Sequence, residues 1–382
     1  MKVLQRYFAS EIVRAVLLVL LAFLSLFAFF DLMGELKVIG RGGYQLQHAF
    51  LHVLLSLPST AYEMMPIAAL IGTIWALAQF AQSSEFTIMR VSSMSTLLAG
   101  QMLAKIGMVF VVATFLLGEV VAPIASETAE KLKLSAQGNA ITQGFRTGLW
   151  AKDLIKESGL SGAVVGSRFL NVQSVRPDGE LEKVRLYEFD NSFRLTSLIN
   201  ADTARYQGAN IWKLTQVTET RFPNVVLDQD ASLAELKAAI ATQTIPSREL
   251  ISEITPEILA VLFTNPDRMS ATDLKAYTRH LSENKQHTER YEIAFWKKLI
   301  YPFAVLVMMA LALPFGYLQV RSGGVSLKIF TGVMIGVSFY LLNSLFSHIG
   351  LLNTWPAFIT SFLPSALFLL LAIGALWWVE KH

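Results

Sequence analysis

Cysteine is absent from the 382 residues, which excludes disulfides, thiolate catalysis and cysteine-ligated metals. No glycine is followed by lysine, so no Walker A loop can cradle the phosphates of a nucleotide. The chain does not hydrolyse ATP by that route, and energy for driven work would have to enter from a partner. The G-x-S-x-G elbow, the H-E-x-x-H zinc helix and a Gly-rich dinucleotide turn are missing as well. The chain therefore reads as a non-enzyme with no catalytic residues, no cofactor and no metal. Charge is also scarce: 16% of residues, against about 25% in an ordinary soluble domain. The net charge of +3 supports no nucleic-acid partner.

What is present is hydrophobic, at 53% of residues. The few charges are unevenly spread. Residues 123–298 hold 44 of the 61 Lys, Arg, Asp and Glu side chains, which is the charge density of a soluble domain. The flanking regions carry runs long enough to span a bilayer, about 20 apolar residues each. The first lies near Ile12–Met33, the second near Val53–Phe80 and the third near Leu97–Val121. The fourth is Leu299–Val320, and the uncharged stretch Ile329–Val379 must fold back near Gly350, Asn353 and Pro356 to give the fifth and sixth. The basic and then apolar N-terminus resembles a signal peptide. Phe29-Phe30-Asp31-Leu32 is no small-residue cleavage site, so the segment reads as a retained anchor.

Lysine and arginine in the short loops set orientation. With the N-terminus in the cytoplasm, the inside carries Lys2, Arg6, Arg14, Arg90, Lys105, Arg321, Lys328 and Lys381, and the outside only Lys37 and Arg41. Both termini are then cytoplasmic and the large domain lies across the membrane. Within it, Ser167–Val175, Lys183–Phe189, Arg194–Tyr206 and Asn210–Phe222 read as strands separated by turn residues. The expected fold is six transmembrane helices, three and three, around an all-β sandwich or jellyroll. The expected domains are helices 1–3 over 1–122, a β domain over 123–269, a connecting helix over 270–298 and helices 4–6 over 299–382. A proline- and turn-rich stretch, 246–269, reads as the link from the strands, and Ser270-x-x-Asp273 as the capping box that opens the connecting helix.

Several residues stand out. His48 and His52 share a helix face as metal ligands would, but no nearby carboxylate completes a set, which favours interfacial polar residues. Glu63 lies in the second span between Pro58 and Pro66, where the backbone is expected to be broken. It reads as a paired or water-facing structural carboxylate in preference to a proton relay. Small-residue stripes at Ala68, Gly72 and Ala76, and at Gly332 and Gly336, suit close helix contacts, within the chain or with a second subunit. Lys37 and Arg41 form either a solvated loop paired with Asp31 and Glu35 or a basic rim for an anionic lipid headgroup. The cytoplasmic stretch of about 82–95 mixes Ser84, Glu85 and Arg90 with apolar Phe86 and Met89. It fits a docking helix and a membrane-surface helix equally well.

Over nearly its whole length the sequence resembles the LptF/LptG permeases of the lipopolysaccharide-export ABC transporter. Ala81-Gln82-Ser83-Ser84-Glu85 with Met89 looks like the family's coupling helix, and Glu119-x-x-Ala122-Pro123 like the end of its third span. Gly148-Leu149-Trp150-Ala151-Lys152-Asp153 and Arg290-Tyr291-Glu292 with Trp296, Lys297, Pro302 and Met308-Met309 look most like the LptG branch. The resemblance implies an inner-membrane permease of a Gram-negative envelope, paired with an LptF-like subunit above a dimer of cytoplasmic ABC ATPases. It implies that lipopolysaccharide enters through gates at spans one and five and passes through a periplasmic jellyroll to LptC- and LptA-like jellyroll proteins. Ser84, Glu85, Phe86, Met89 and Arg90 would couple to the ATPase, and Lys37 would hold lipid phosphates. Val38 stands where the family can carry a second lysine, and Arg41 is the candidate replacement. Three other readings compete: an envelope sensor or scaffold without transport, an ion-coupled transporter using Glu63, and an intramembrane enzyme. The last is weakest because no catalytic pair is visible.

Overall fold

A backbone crossing hydrocarbon must satisfy its own hydrogen bonds, and unbroken helices do so. The computed structural model describes residues 2–40, 43–83, 96–137, 148–176, 178–222, 240–261, 265–317 and 324–381. It contains 6 helical stretches long and apolar enough to cross a membrane: Gln5–Leu36, Leu46–Gln82, Leu98–Lys133, Glu289–Tyr317, Val325–Leu352 and Ala357–Val379. The first is α1 (Lys2–Leu36) and the second α2 (Leu46–Gln82). The third joins α3 (Thr96–Leu116) through a π-turn at Leu117–Val121 to α4 (Ala122–Gln137). After six strands and two short connecting helices, α5 (Pro256–Val261) and α6 (Ala271–Glu283), the fourth span is built from α7 (Glu289–Ile300), α8 (Ala304–Ala312) and α9 (Pro314–Tyr317). The last two are α10 (Val325–Leu352) and α11 (Ala357–Lys381).

Helix α2 is the centre of the bundle. Its most apolar window is 83% buried, against 22% for the first span and 17% for the fifth. It runs unbroken through Pro58 and Pro66, contrary to the expected break. Each proline removes one backbone donor, and neighbouring helices can re-satisfy what is freed. The small-residue stripes pack within the chain. A Cβ on Gly72 would lie 2.5 Å from Val16 Cα, so α1 and α2 touch backbone to backbone. Gly332 and Gly336 of α10 receive Ile74 and Ile67 of α2, where added Cβ atoms would meet those side chains at 2.7 Å.

The inserted domain is one antiparallel sheet in sequential order: β1 (Leu149–Ser158), β2 (Ser161–Val175), β3 (Leu181–Asp190), β4 (Leu195–Gly208), β5 (Ile211–Arg221) and β6 (Ala241–Ile251). Its inner face buries Val172, Val184, Leu186, Ile199, Leu214 and Val217. Alternation in β5 is interrupted at Gln216, whose φ of +52° marks an irregularity opposite Pro246. β6 occupies part of the stretch expected as a linker. Its proline is tolerated because β6 pairs with β5 alone, leaving one edge free of ladder donors. The connecting segment is two helices, since the chain breaks between Glu283 and Glu289. Ser270 caps α6 as expected, accepting from the Asp273 amide at 3.0 Å.

The sheet rolls so that β1 and the end of β6 meet, and buried ions fasten the roll. Asp153 of β1 is fully buried and accepts from Ser252 Oγ at 2.6 Å. Arg168 lies 3.5 Å from Asp153, pairs with Glu188 at 2.8 Å and donates to the Ile251 carbonyl at 3.2 Å. Lys156 pairs with Glu253, and His280 of α6 lies 3.9 Å from the same carboxylate. Lys152 donates to the Asn284 carbonyl at 3.2 Å, so β1 is tied to the end of α6. Burial raises the Asp153 carboxyl above its ordinary value, opposed by Ser252 and Arg168. Burial likewise holds the His280 imidazole below 6.5, against the pull of Asp153, Glu253 and Glu283. At the other end of α6, Glu119 on the π-turn accepts from the Ala271 amide at 2.8 Å and the Thr272 amide at 3.4 Å. A carboxylate at a helix N-terminus is favourably placed, and here it binds the third span to the joint.

Two outcomes follow for stability. Gly72→Val should destabilise the purified protein by roughly 1–3 kcal/mol through overpacking against a backbone that cannot yield. Gly374→Val, where nothing lies within 4 Å, should leave the thermal midpoint unchanged; equal effects of the two would show that the α1–α2 contact is loose. For His280, the folded-state pKa is depressed, so its contribution is present above about 6.5 and lost as pH falls, because the unfolded chain takes up the proton first. Between about pH 7.5 and about pH 5.5, His280→Gln should lose less stability than the unsubstituted protein, the difference bounded at about 1.4 kcal/mol per pH unit for one proton. Parallel Tm–pH curves would contradict this.

Candidate functional site at the turn between the first two spans

Helix α1 ends at Leu36 and the chain turns through Lys37–Gly40 before α2 begins at Leu46. The turn is closed by the Gly40 amide donating to the Tyr44 carbonyl at 2.9 Å, with Gly40 at φ +89° and Gly43 at φ +102°. Beneath it Glu35 gathers three elements. Its carboxylate accepts from Tyr44 Oη at 3.0 Å and from Lys133 Nζ of α4 at 2.7 Å, and His52 Nδ1 of α2 lies 3.6 Å away. Burial and the Glu35 carboxylate raise the Tyr44 hydroxyl above its ordinary value, so it remains a donor.

This arrangement separates Lys37 from the acid expected to neutralise it. Glu35 is engaged by Lys133, and Lys37 is exposed, its ammonium in no ion pair with a described residue. Lys133 was not visible from the sequence as part of this site, because it lies beyond the third apolar run among ordinary charged residues. The only signal was a lysine on a helix that continues past that run. Arg41 lies outside the described residues, as do Ser84, Glu85, Phe86, Met89 and Arg90. The segment 84–95 joins the end of α2 to the start of α3.

The two histidines divide their roles. His48 Nδ1 accepts from the Gln45 amide at 3.0 Å and caps α2, while His52 is buried beside Glu35. No group of three metal-ligating side chains occurs among the described residues.

The flanks of the site are apolar and bare. Helix α1 exposes Leu17, Leu21, Phe29 and Phe30, and α10 exposes Phe330, Met334, Leu341 and Leu345. Bare apolar faces on membrane helices meet either lipid chains or another subunit's helices. A cation at the head of such a face suits an amphiphile with an anionic headgroup and acyl chains.

Comparison with known proteins agrees with this layout over the whole chain. Residues 6–378 match the family model described as lipopolysaccharide export system permease LptF/LptG. The chain is 30% identical over 375 residues to the lipopolysaccharide export system permease protein LptG of Escherichia coli strain K12, covering 98% of each protein. It is 28% identical to the LptG of Haemophilus influenzae, covering 98% of this chain and 97% of that one. With six spans, an inserted antiparallel sheet and a match from end to end, this chain belongs to the LptF/LptG family of lipopolysaccharide export system permeases.

Proposed function

We propose that this chain is the LptG-type permease of a lipopolysaccharide exporter. It would lift lipopolysaccharide from the inner membrane and pass it through its β domain to LptC- and LptA-like jellyroll proteins. The observation that carries the reading is the family match over residues 6–378, supported by a bare apolar surface headed by Lys37, which is in no ion pair with a described residue. An LptF-like subunit would cover one bare flank. A dimer of cytoplasmic ABC ATPases would supply the energy, since the chain has no phosphate-binding loop of its own. The loop bias in lysine and arginine supports cytoplasmic termini and a periplasmic β domain.

In this reading Lys37, with Arg41, holds lipid phosphates, while Glu85 with its neighbours Ser84, Phe86, Met89 and Arg90 seats the ATPase. ATP then acts by favouring one state of the lipid cavity over another, a shift limited by its differential affinity for the two.

Photocrosslinking in the co-expressed complex tests the proposal. A photoreactive residue at position 38 should capture lipopolysaccharide without ATP, and one replacing Ile245 of β6 only with ATP. Lys37→Ala should lower capture at the first position about fivefold, from the roughly 1 kcal/mol that one cation contributes at an anionic headgroup. Glu85→Ala should abolish ATPase co-purification and capture at the β domain while leaving membrane capture intact. A complex that hydrolyses ATP and captures lipid at neither position would replace transport by an envelope sensor or scaffold.

A further inference from the structure

At the β-domain end of the bundle lies a polar cavity of about 140 Å³ between α2, the start of the fourth span and α10. It is separate from the Lys37 turn. Its walls include Tyr62 and Glu63 of α2, Lys298 and Tyr301 of the fourth span, and Tyr340 and Asn343 of α10. Lys297 and Asp267 stand at its rim, 3.1 Å apart, and neutralise each other.

Lys298 has no such partner. The residue is 4% exposed, and no carboxylate among the described residues lies within 4.0 Å of its ammonium. Its one close companion is the ring of Tyr62, with Nζ 4.9 Å from the centroid. A buried ammonium without an anion is costly, and a ring face offsets only part of the lost solvation. Glu63 presents the complementary problem. Its carboxylate accepts no hydrogen bond and joins no ion pair among the described residues, although Tyr301 Oη donates to its backbone carbonyl at 2.5 Å. The two opposite charges belong to different helices and face one cavity without closing on each other. The fold therefore keeps an unpaired cation and an unpaired anion on opposite elements of a space with room for a small group.

The space is lined on one side by an exposed residue of α10. Tyr340 is 47% exposed and continues the bare apolar stripe of α10. Tyr62 and Tyr301 pack on each other behind it, ring centroids 5.2 Å apart, and form its buried wall. A ligand reaching the cavity from that side carries acyl chains along α10 and places its headgroup inside. A purely anionic headgroup would satisfy Lys298 and leave Glu63 repelled. A headgroup with a phosphate and an ammonium two carbons apart satisfies both.

The geometry points to this cavity as a binding site for a phosphoethanolamine headgroup, with the phosphate on Lys298 and the ammonium on Glu63. Two sources share that chemistry: a membrane phospholipid such as phosphatidylethanolamine, and a phosphoethanolamine-bearing lipopolysaccharide. The second source rests on the transport reading and the first does not.

The test uses the full chain purified with its co-expressed partners and exchanged into nanodiscs of equal phosphatidylethanolamine and phosphatidylglycerol, with retained lipid read by native mass spectrometry. The unsubstituted protein should retain phosphatidylethanolamine preferentially. Glu63→Gln, nearly isosteric, should lose that preference by about tenfold while still retaining phosphatidylglycerol, as expected for one charge-assisted hydrogen bond. Lys298→Met should lose both lipids. If Lys298→Met does not fold, the selectivity change in Glu63→Gln alone decides. Soluble glycerophosphoethanolamine should compete with the retained lipid, and inorganic phosphate should not. Adding lipopolysaccharide with and without phosphoethanolamine separates the sources: displacement by the modified form only assigns the site to cargo, and displacement by neither assigns it to a resident phospholipid. Equal retention of the two phospholipids by the unsubstituted protein, or an unchanged preference in Glu63→Gln, would overturn the proposal and leave a water-filled cavity, without touching the transport reading.

Discussion

The contact on which the bundle depends is the backbone approach of α1 to α2 at Gly72 and Val16. Lipid chains are as apolar as leucine, so helices in a membrane gain little by hiding apolar surface from them. Association then rests on dispersion and shape, and both fall steeply with distance. Gly72 removes the one Cβ that would hold the two backbones apart, and Gly332 and Gly336 do the same for the isoleucines of α2 against α10. Helix α2 thereby becomes a shared wall, with α1 on one side and α10 on another. α1 commits a narrow strip to α2, α10 packs against α2 and, through Phe339 and Gly350, against α11, and both leave an apolar face bare. Under the proposed function, lateral admission of an amphiphile would use this combination of a shared wall and uncommitted flanks.

Charges do the fastening where the helices leave the apolar layer. Glu35 draws in Tyr44 and Lys133, and so joins the first span to the extension of the third. Glu119 uses a π-turn to reach the N-terminus of α6. Asp153, Arg168, Glu188 and Ser252 close the rolled sheet, and Lys152 reaches the end of α6. Buried ion pairs are weak sources of net stability, because desolvation offsets most of the attraction. Breaking one partner is expensive, however, so such pairs fix geometry even where they add little free energy. The β domain is thus attached to the membrane helices through a few directional contacts on α6 in addition to apolar packing.

Much of this was legible in the sequence and some was not, for physical reasons. The six spans follow from long uncharged runs, because hydrocarbon tolerates nothing else. Four strands fell near their observed positions because turn residues such as Asp178-Gly179 and Asp190-Asn191 punctuate them. β6 was hidden by Pro246, which reads as a breaker unless the strand is known to be an edge. The unbroken course of α2 through Pro58 and Pro66 was equally hidden, since it depends on neighbouring helices that no local pattern reveals. At the site, Lys37 was visible, with Arg41, as a basic pair just past an apolar run. Lys133 and Lys298 were not, because their significance lies in which carboxylate is near and which is absent, and that is a property of the fold.

The continuity of α2 bears on how the two ends of the protein could act together. The helix spans Leu46–Gln82, 37 residues, or about 55 Å at about 1.5 Å per residue. One end rises beside Glu35 and the Lys37 turn, and the other runs directly into the segment 84–95, where the proposed ATPase-coupling residues lie. A helix kinked at its prolines would absorb a push at one end as bending. This one is held along most of its length by buried contacts to α1, α8 and α10, so under the proposed function a displacement at Gln82 would be carried to the opposite end as a movement of the whole helix. The bare helices α1 and α10 are seated on that wall through glycines and isoleucines, and among the described residues the charge contact between them and α2 is Glu35 with His52, near the Lys37 turn. A shift of that wall would then change the gap beside α1 and the gap beside α10 together. In a two-state picture, a partner that binds one position of α2 more tightly than the other selects between an open and a closed flank, and its differential affinity sets the limit of the work it can do. The two prolines that made α2 look broken in the sequence lie on the most deeply buried helix of the bundle, the one that this proposal asks to carry force.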